Sequence, residues 1–295
     1  MSAQIINGSD ISGEIRRELQ SEIAGLKEKH GIVPGLATVL VGDDSASHIY
    51  VGQKEKTSLA MGIYSERYDL PAETKQEELL ALVARLNGSD RIHGILVQVP
   101  LPKHIDENEV LYAIEPKKDV DGFHPVNVGK LTIGQPDFLP CTAHGIQQLL
   151  IRSGVKTEGA EVVVVGRSNI VGKPIANIMF QKKEGANATV TVCHTATRDI
   201  SFHTRRADIL IVAAGRPKAI TADMVKEGAV VIDVGQNRIG KSSSGKDIIV
   251  GDVDFDAVKE KAGAITPVPR GVGPMTITML MYNTVKAAKI ASGLA

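Results

Sequence analysis

The sequence predicts an α/β protein of two domains, each built on parallel strands. Three observations carry this expectation. Short β-branched runs alternate with amphipathic helical segments along most of the chain. One of those runs, EVVVVG (Glu161–Gly166), ends on a glycine and leads towards a helix. The alternation is interrupted once, by a loop-rich stretch from Pro100 to Pro140. Strand–helix–strand repetition implies parallel strands joined by right-handed crossovers, and 295 residues suffice for two modest cores.

Asp10 is expected to cap a helix through ISGEIRRELQSEIAGLKEKH, in which Ile11, Ile15, Leu19, Ile23 and Leu26 share a face and Gly31 ends the run. LATVLVG (Leu36–Gly42) reads as a buried strand. Asp43, Asp44 and Ser45 then form a capping cluster for a helix reaching Met61. IYSERYDL alternates like a strand, TKQEELLALVARLN is an amphipathic helix ending at Gly88, and IHGILVQV (Ile92–Val99) is a strand again. The loop-rich section holds KKDVDGFHP and one short helix. From Thr142 the order resumes: helix TAHGIQQLLIRSG, strand EVVVVG, a helix from Gly172, strand ATVTVC, a helix, strand ADILIVAAG, a helix and strand AVVIDVG. That succession describes a doubly wound, Rossmann-like sheet. The last helix, MTITMLMYNTVKAAKIA, is too apolar on one side to stand alone and is expected to pack back onto the N-terminal domain. The expected domains are therefore residues 1–140, completed by a helix over 274–295, and residues 141–273.

Lys and Arg together number 34, as do Asp and Glu, for a formal net charge of zero. Nothing in that balance suggests nucleic acid or an anionic membrane as a partner. No apolar run approaches the roughly 18–20 residues that span a bilayer. The opening MSAQIINGSD lacks the pattern of a secretory signal. Cys141 and Cys193 are too few for a disulfide framework. The expectation is a cytoplasmic protein with reduced thiols.

Gly166 is not followed by the usual G-x-G-x-x-G, since Arg167 and Ser168 follow it and the next glycine is Gly172. A plain strand-to-helix turn without ligand is one reading. Favouring a nucleotide, Gly166 permits a tight turn, Ser168 and Asn169 offer polar groups, and free N–H groups at a helix start suit phosphate. NAD sites usually place an acid after the second strand, to hold the ribose 2′-hydroxyl. Here ATVTVC runs into His194 and Thr195, while Arg167 can meet a 2′-phosphate through charge-assisted hydrogen bonds. NADP is therefore expected over NAD, with a solvent-facing Arg167 as the plainer alternative.

Tyr50 and Lys54 stand at i and i+4 on a helix, hence on one face, which on an arbitrary helix reads as a plain surface pair. That helix borders the strand ends where open α/β sheets keep ligands. Burial beside an apolar ring would lower the lysine pKa towards a useful range. Gln98, at the end of an apolar strand, needs a partner if buried, and a lysine amine is a reasonable one. Asp121, in a glycine-containing loop, can receive N–H donors from a heterocycle, or serve as a turn residue. Asp119 and Asp121 alone are a weak metal signal, and the eight histidines show no metal-binding spacing. No metal is expected.

YVGQKEKTSLAMGI, GILVQVPLP, KDVDGFHP, PCTAHG, VVGRSNIVGKP, VIDVGQNR and TPVPRGVGPMT occur in that order along nearly the whole chain. Together they resemble the bifunctional methylenetetrahydrofolate dehydrogenase/methenyltetrahydrofolate cyclohydrolase family. The resemblance implies a folate-binding catalytic domain, a Rossmann-like NADP domain and folate in the cleft between them. It also implies oxidation of 5,10-methylenetetrahydrofolate with NADP⁺, hydrolysis to 10-formyltetrahydrofolate, and a homodimer. Such an enzyme serves tetrahydrofolate one-carbon interconversion and purine biosynthesis. Carried over by motif, Tyr50 stacks on the folate, Lys54 is the general acid/base, Gln98 tunes Lys54, and Asp121 anchors the pterin. Val51, Val97, Val99, Pro269, Arg270, Gly271, Val272 and Gly273 complete the implied substrate contacts. Gly166, Arg167, Ser168, Thr195 and Gln236 are the implied cofactor contacts.

The chain departs from the family pattern at Arg270, where glycine is frequent, and at Ala143, where proline is usual. Gln236 replaces isoleucine near the nicotinamide, and Thr195 replaces a serine but keeps the hydroxyl. The stretch KKEGAN (Lys182–Asn187) is slightly long. Rival readings are a dehydrogenase with weak or absent cyclohydrolase activity, a non-enzymatic nucleotide-binding module, and a shikimate-type dehydrogenase. Retention of Tyr50, Lys54, Gln98 and Asp121 weighs against the first two, and a shikimate-type dehydrogenase is expected to carry its own lysine–aspartate pair in a different sequence setting.

Overall fold

The computed structural model describes residues 2–242, 245 and 247–294. In chain order the elements begin with β1 (Gln4–Ile5), α1 (Gly8–His30), β2 (Gly35–Val41), α2 (Ser45–Met61), β3 (Tyr64–Leu70), α3 (Gln76–Asn87) and β4 (Gly94–Val97). They continue with α4 (Glu107–Tyr112), α5 (Pro125–Thr132), α6 (Cys141–Arg152), β5 (Glu161–Val165), α7 (Gly172–Met179), β6 (Thr189–Cys193) and α8 (Ile200–Thr204). The remainder is β7 (Ile209–Val212), β8 (Val230–Asp233), β9 (Asn237–Lys241), β10 (Asp247–Val250), α9 (Phe255–Val258), β11 (Ala264–Ile265) and α10 (Val272–Ala291). Two compact units emerge. One comprises Glu14–Cys141 with Ile277–Ala295, the other Met1–Gly13 with Thr142–Thr276.

In the first unit, β2 lies between β3 and β4 in a three-stranded parallel sheet. Every residue of β2 is buried, as a central strand covered on both faces requires. The period of two sends Ala37, Val39 and Val41 towards a core shared with Leu79, Leu82, Val83 and Leu86 of α3. Asp44 caps α2 by accepting from Ser47 N at 2.8 Å, and Gly62, at φ 82°, ends that helix. The C-terminal helix α10 packs into this unit. Ser58 Oγ donates to Met281 Sδ, and Asn283 Nδ2 donates to the carbonyls of Val120 (2.7 Å) and Leu139 (2.9 Å).

The second unit holds a six-stranded parallel sheet in the order β6-β5-β7-β8-β11-β1. The chain leaves β5 for β6 on one side and then returns to β7 on the other. The topological switch point therefore lies between β5 and β7, where doubly wound sheets bind ligands beyond the strand ends.

Several elements differ from the sequence expectation. Asn7, not Asp10, supplies the first-turn cap of α1, its Oδ1 accepting from Ser9 N at 3.0 Å. The loop-rich section holds two short helices, α4 and α5. The helix expected between β7 and β8 is a single 3₁₀ turn, Ala222–Met224. An antiparallel hairpin of β9 and β10 follows β8. Residues 1–13, expected in the N-terminal domain, group with the second unit because Gln4 and Ile5 pair in parallel with Ala264 and Ile265. A two-residue strand has no periodicity to read, so only its distant partner reveals it.

Candidate active site

The cap at Asp44 starts α2 so that Tyr50 and Lys54 project one turn apart, while Val51 is fully buried beneath them. Tyr50 is 38 % exposed, and partial burial pushes its hydroxyl pKa up. Lys54 Nζ donates to Gln98 Oε1 at 2.9 Å. Gln98 follows β4 directly. Its backbone N–H donates to Val39 O at 2.8 Å, continuing the pairing with β2. Its Nε2 donates to Val99 O at 2.7 Å. Because the amide nitrogen is held by a carbonyl, the amide oxygen must face the lysine.

Asp119 and Asp121 have separate tasks. Asp119 is 3 % exposed and accepts from the backbone N–H groups of Gly122, Phe123 and His124 and from Asn127 Nδ2. It folds the loop before α5, with Gly122 at φ 75° completing the turn. Asp121 is thereby turned towards Lys54 and Cys141. Burial raises the Asp121 pKa, against the pull of the Lys54 ammonium. Burial also lowers the Lys54 pKa, opposed by the charge of Asp121. Cys141 donates to Val120 O, and burial pushes its thiol well above the ordinary value, so it is a poor nucleophile here. The set combines a desolvated amine, an oriented amide and a carboxylate, which suits proton transfer next to a developing charge.

In the second unit, Gly166 adopts φ 133°, and a Cβ there would stand 2.3 Å from Ala213 O. Gly172 likewise has no room for a side chain, since its Cβ would approach Gly166 O at 2.2 Å. Two glycines thus bring the start of α7 against the turn. Ser168 Oγ accepts from Val171 N and Gly172 N, which leaves its own proton to donate. Val165 pairs with Cys193, and Gly166 N donates to Cys193 O at 2.8 Å. Arg167 and Thr195 consequently sit at adjacent strand ends, both exposed. Among the described residues Arg167 makes no ion pair. A crevice at the switch point, a glycine turn and an unpaired cation fit a dinucleotide carrying a 2′-phosphate.

Two family models match the chain: "Tetrahydrofolate dehydrogenase/cyclohydrolase, catalytic domain" over residues 6–121, and "Tetrahydrofolate dehydrogenase/cyclohydrolase, NAD(P)-binding domain" over residues 140–292. The chain belongs to the tetrahydrofolate dehydrogenase/cyclohydrolase family. It is 69 % identical, over the full length of both chains, to the "Bifunctional protein FolD" of Syntrophus aciditrophicus. A crystal structure of the bifunctional enzyme FolD from Campylobacter jejuni shares 50 % identity and a TM-score of 0.92, covering 98 % of this chain and 99 % of that one. The Trypanosoma brucei dehydrogenase-cyclohydrolase, solved with NADP cofactor and an inhibitor, shares 41 % identity and a TM-score of 0.93, with 99 % of each chain covered.

Within this member of the family, Lys54, Gln98 and Asp121 come together in one unit, with Tyr50 one turn from Lys54. Val51 and Val97, expected among the substrate contacts, are core side chains at 0 % and 3 % exposure, Val97 facing the α3 side. Val272 is also buried, at 4 %. Sequence position marks the lining of a site but not which way a strand or helix residue points. Val99 is half-buried and Pro269 and Arg270 are exposed. Arg270 takes φ 84°, its carbonyl accepting from Ser9 N. A Cβ at Gly273 would lie 2.7 Å from Gln236 Nε2, so these two expected site residues are neighbours. Sequence reasoning missed the loop-building role of Asp119 and the place of Cys141 beside Asp121. The only available signals were the doubled aspartates of DVDG and the cysteine in PCTAHG. No group of three or more His, Cys, Asp or Glu arranged to hold a metal occurs among the described residues.

Proposed function

We propose that this chain oxidises 5,10-methylenetetrahydrofolate to 5,10-methenyltetrahydrofolate with NADP⁺ and hydrolyses the product to 10-formyltetrahydrofolate. Full-length identity to a bifunctional relative supports the pair of activities, and the NADP held by the trypanosomal relative supports the cofactor. The observation that carries the reading is the 2.9 Å hydrogen bond from Lys54 to Gln98, in a desolvated site beside Asp121.

NADP⁺, when bound, supplies the hydride acceptor. The chain's own task in that step is alignment, for which positioned binding groups suffice. Tyr50 offers a ring on which the folate stacks, and Asp121 receives N–H donors of the pterin. Arg167, Ser168 and Thr195 hold the phosphates across the turn at Gly166, with Gln236 towards the nicotinamide. For hydrolysis, water oxygen bonds to the methenyl carbon and neutral Lys54 accepts the released proton. Cleavage of the carbon–N5 bond, with a proton delivered to N5, leaves the formyl group on N10, and one proton is released overall. Gln98 keeps the amine directed at the reacting carbon.

The same reading implies a homodimer in the cytoplasm whose formyl product is drawn on by purine biosynthesis. Light scattering on the purified protein tests the assembly. The activities are tested by following the absorbance of methenyltetrahydrofolate with NADP⁺ and with NAD⁺. NADP⁺-dependent appearance followed by enzyme-dependent decay is expected. Accumulation without accelerated decay would defeat the cyclohydrolase assignment.

A further inference from the structure

Two buried carboxylates in the second unit have no role in the reading so far. Asp252 and Asp233 are 0 % and 2 % exposed, and among the described residues neither has a cationic partner. Buried carboxylates without cations must be compensated by hydrogen bonds. Asp252 Oδ2 accepts from Ala214 N (2.6 Å) and Gly215 N (2.8 Å), and Oδ1 accepts from Arg216 N (3.0 Å) and Asn237 Nδ2 (2.7 Å). Three successive N–H groups of an exposed loop therefore converge on one carboxylate. Asp233, at the end of β8, holds Asp252 in turn. Its Oδ1 accepts from Gly235 N and Asp252 N (each 2.9 Å), and its Oδ2 from Val253 N (3.0 Å). Nothing larger than glycine fits at 235 or 251, where a Cβ would lie 2.4 Å and 1.8 Å from these carboxylates.

The loop so fixed follows β7, and the Gly166 turn follows β5. These strands flank the topological switch point, so the two loops form opposite walls of the crevice where a dinucleotide binds. They touch, since the space a side chain at Gly166 would need is filled by Ala213 O. Only the Gly166 wall is marked by a recognisable motif.

We propose that Asp252, braced by Asp233, is a positioning residue for NADP⁺: it fixes the Ala214–Arg216 wall of the crevice without itself touching the cofactor. This rests on the NADP reading above. Asp252→Asn replaces one acceptor oxygen with an NH₂ group facing backbone donors. The KM for NADP⁺ should rise on the order of ten- to a hundred-fold. Hydrolysis of methenyltetrahydrofolate should stay within about twofold, because Lys54, Gln98 and Asp121 belong to the other unit. Should Asp252→Asn fail to fold, Asn237→Ala removes one of the four donors, and a rise of about threefold in the same KM is expected. An unchanged KM, or a proportional fall of both activities, overturns the proposal in favour of a scaffold role. Wild-type enzyme assayed in parallel separates this from failure of the functional reading, which would show as missing NADP⁺-dependent oxidation before any substitution.

Discussion

In the unit built around β2, the reactive groups we propose are side chains delivered from separate elements: Lys54 from α2, Gln98 from the end of β4 and Asp121 from the loop before α5. In the unit built around β5, what we propose for cofactor binding is largely backbone shape, namely the glycine turn at 166 and the loop that Asp252 gathers. The first site works by desolvation, which moves the pKa of Lys54 down and that of Asp121 up. In the second, backbone N–H groups are consumed within the protein, three on Asp252 and two on Ser168 Oγ, which fixes both loops and leaves Arg167 exposed. Proton transfer needs a group whose charge state is poised, and recognition of a phosphorylated cofactor needs fixed walls and an accessible cation. One chain meets both needs by segregating them.

Substitution separates the two halves of this division of labour, the proton-transfer half most strongly. Lys54→Met should lower hydrolysis by about 10²–10⁴-fold while NADP⁺ binding, followed by calorimetry, stays as in the wild type. A variant that still opens the ring at the wild-type rate would remove Lys54 from the mechanism. Arg167→Ala tests the second half. The kcat/KM for NADP⁺ should fall roughly ten- to a hundred-fold, with NAD⁺ nearly unaffected, and an equal fall for both nucleotides would mean that Arg167 does not read the 2′-phosphate.

Gln98→Met sharpens how the lysine is tuned. Hydrolysis needs neutral Lys54, so its rate should rise with pH through the depressed lysine pKa and then level. Gln98 Oε1 accepts from Nζ and so favours the charged amine. Removing it should shift that limb to lower pH and cut the plateau rate about tenfold. A limb that moves to higher pH contradicts this account. The smallest effect is expected at Arg270, which holds φ 84° in place of a glycine. Arg270→Gly relieves left-handed strain at some cost in unfolded-chain entropy, for a net gain of about 0.5–1 kcal/mol. Thermal melts should show a Tm higher by about 2 °C, and a lower Tm would show that the arginine is stabilised in this conformation.

The strands β2 to β8 and the helices between most of them were legible because each carries its own periodicity, whereas the helix expected before β8 is only a 3₁₀ turn. The turn at Gly166 was legible because a β-branched run ends there on a glycine, while its link to a nucleotide came from Arg167, Ser168 and the strand–helix order behind it. Tyr50 and Lys54 were legible as one helical face. The strand β1 was not, being two residues long and held by β11 from the far end of the chain. The role of Asp233 and Asp252 was not legible, since AVVIDVG reads as a strand and nothing local in VGDVD shows that folding buries the two carboxylates against each other.

Strand–helix order, the glycine turn and the types of reactive residue follow from local sterics and short-range periodicity, and so are written in the chain. Only the tertiary structure decided that Lys54 meets Gln98 at the end of β4, that Asp119 builds a loop while Asp121 faces the amine, and that two buried carboxylates gather the wall opposite Gly166. Those facts depend on desolvation and on donors supplied by segments distant in the chain, and neither exists until the core has formed.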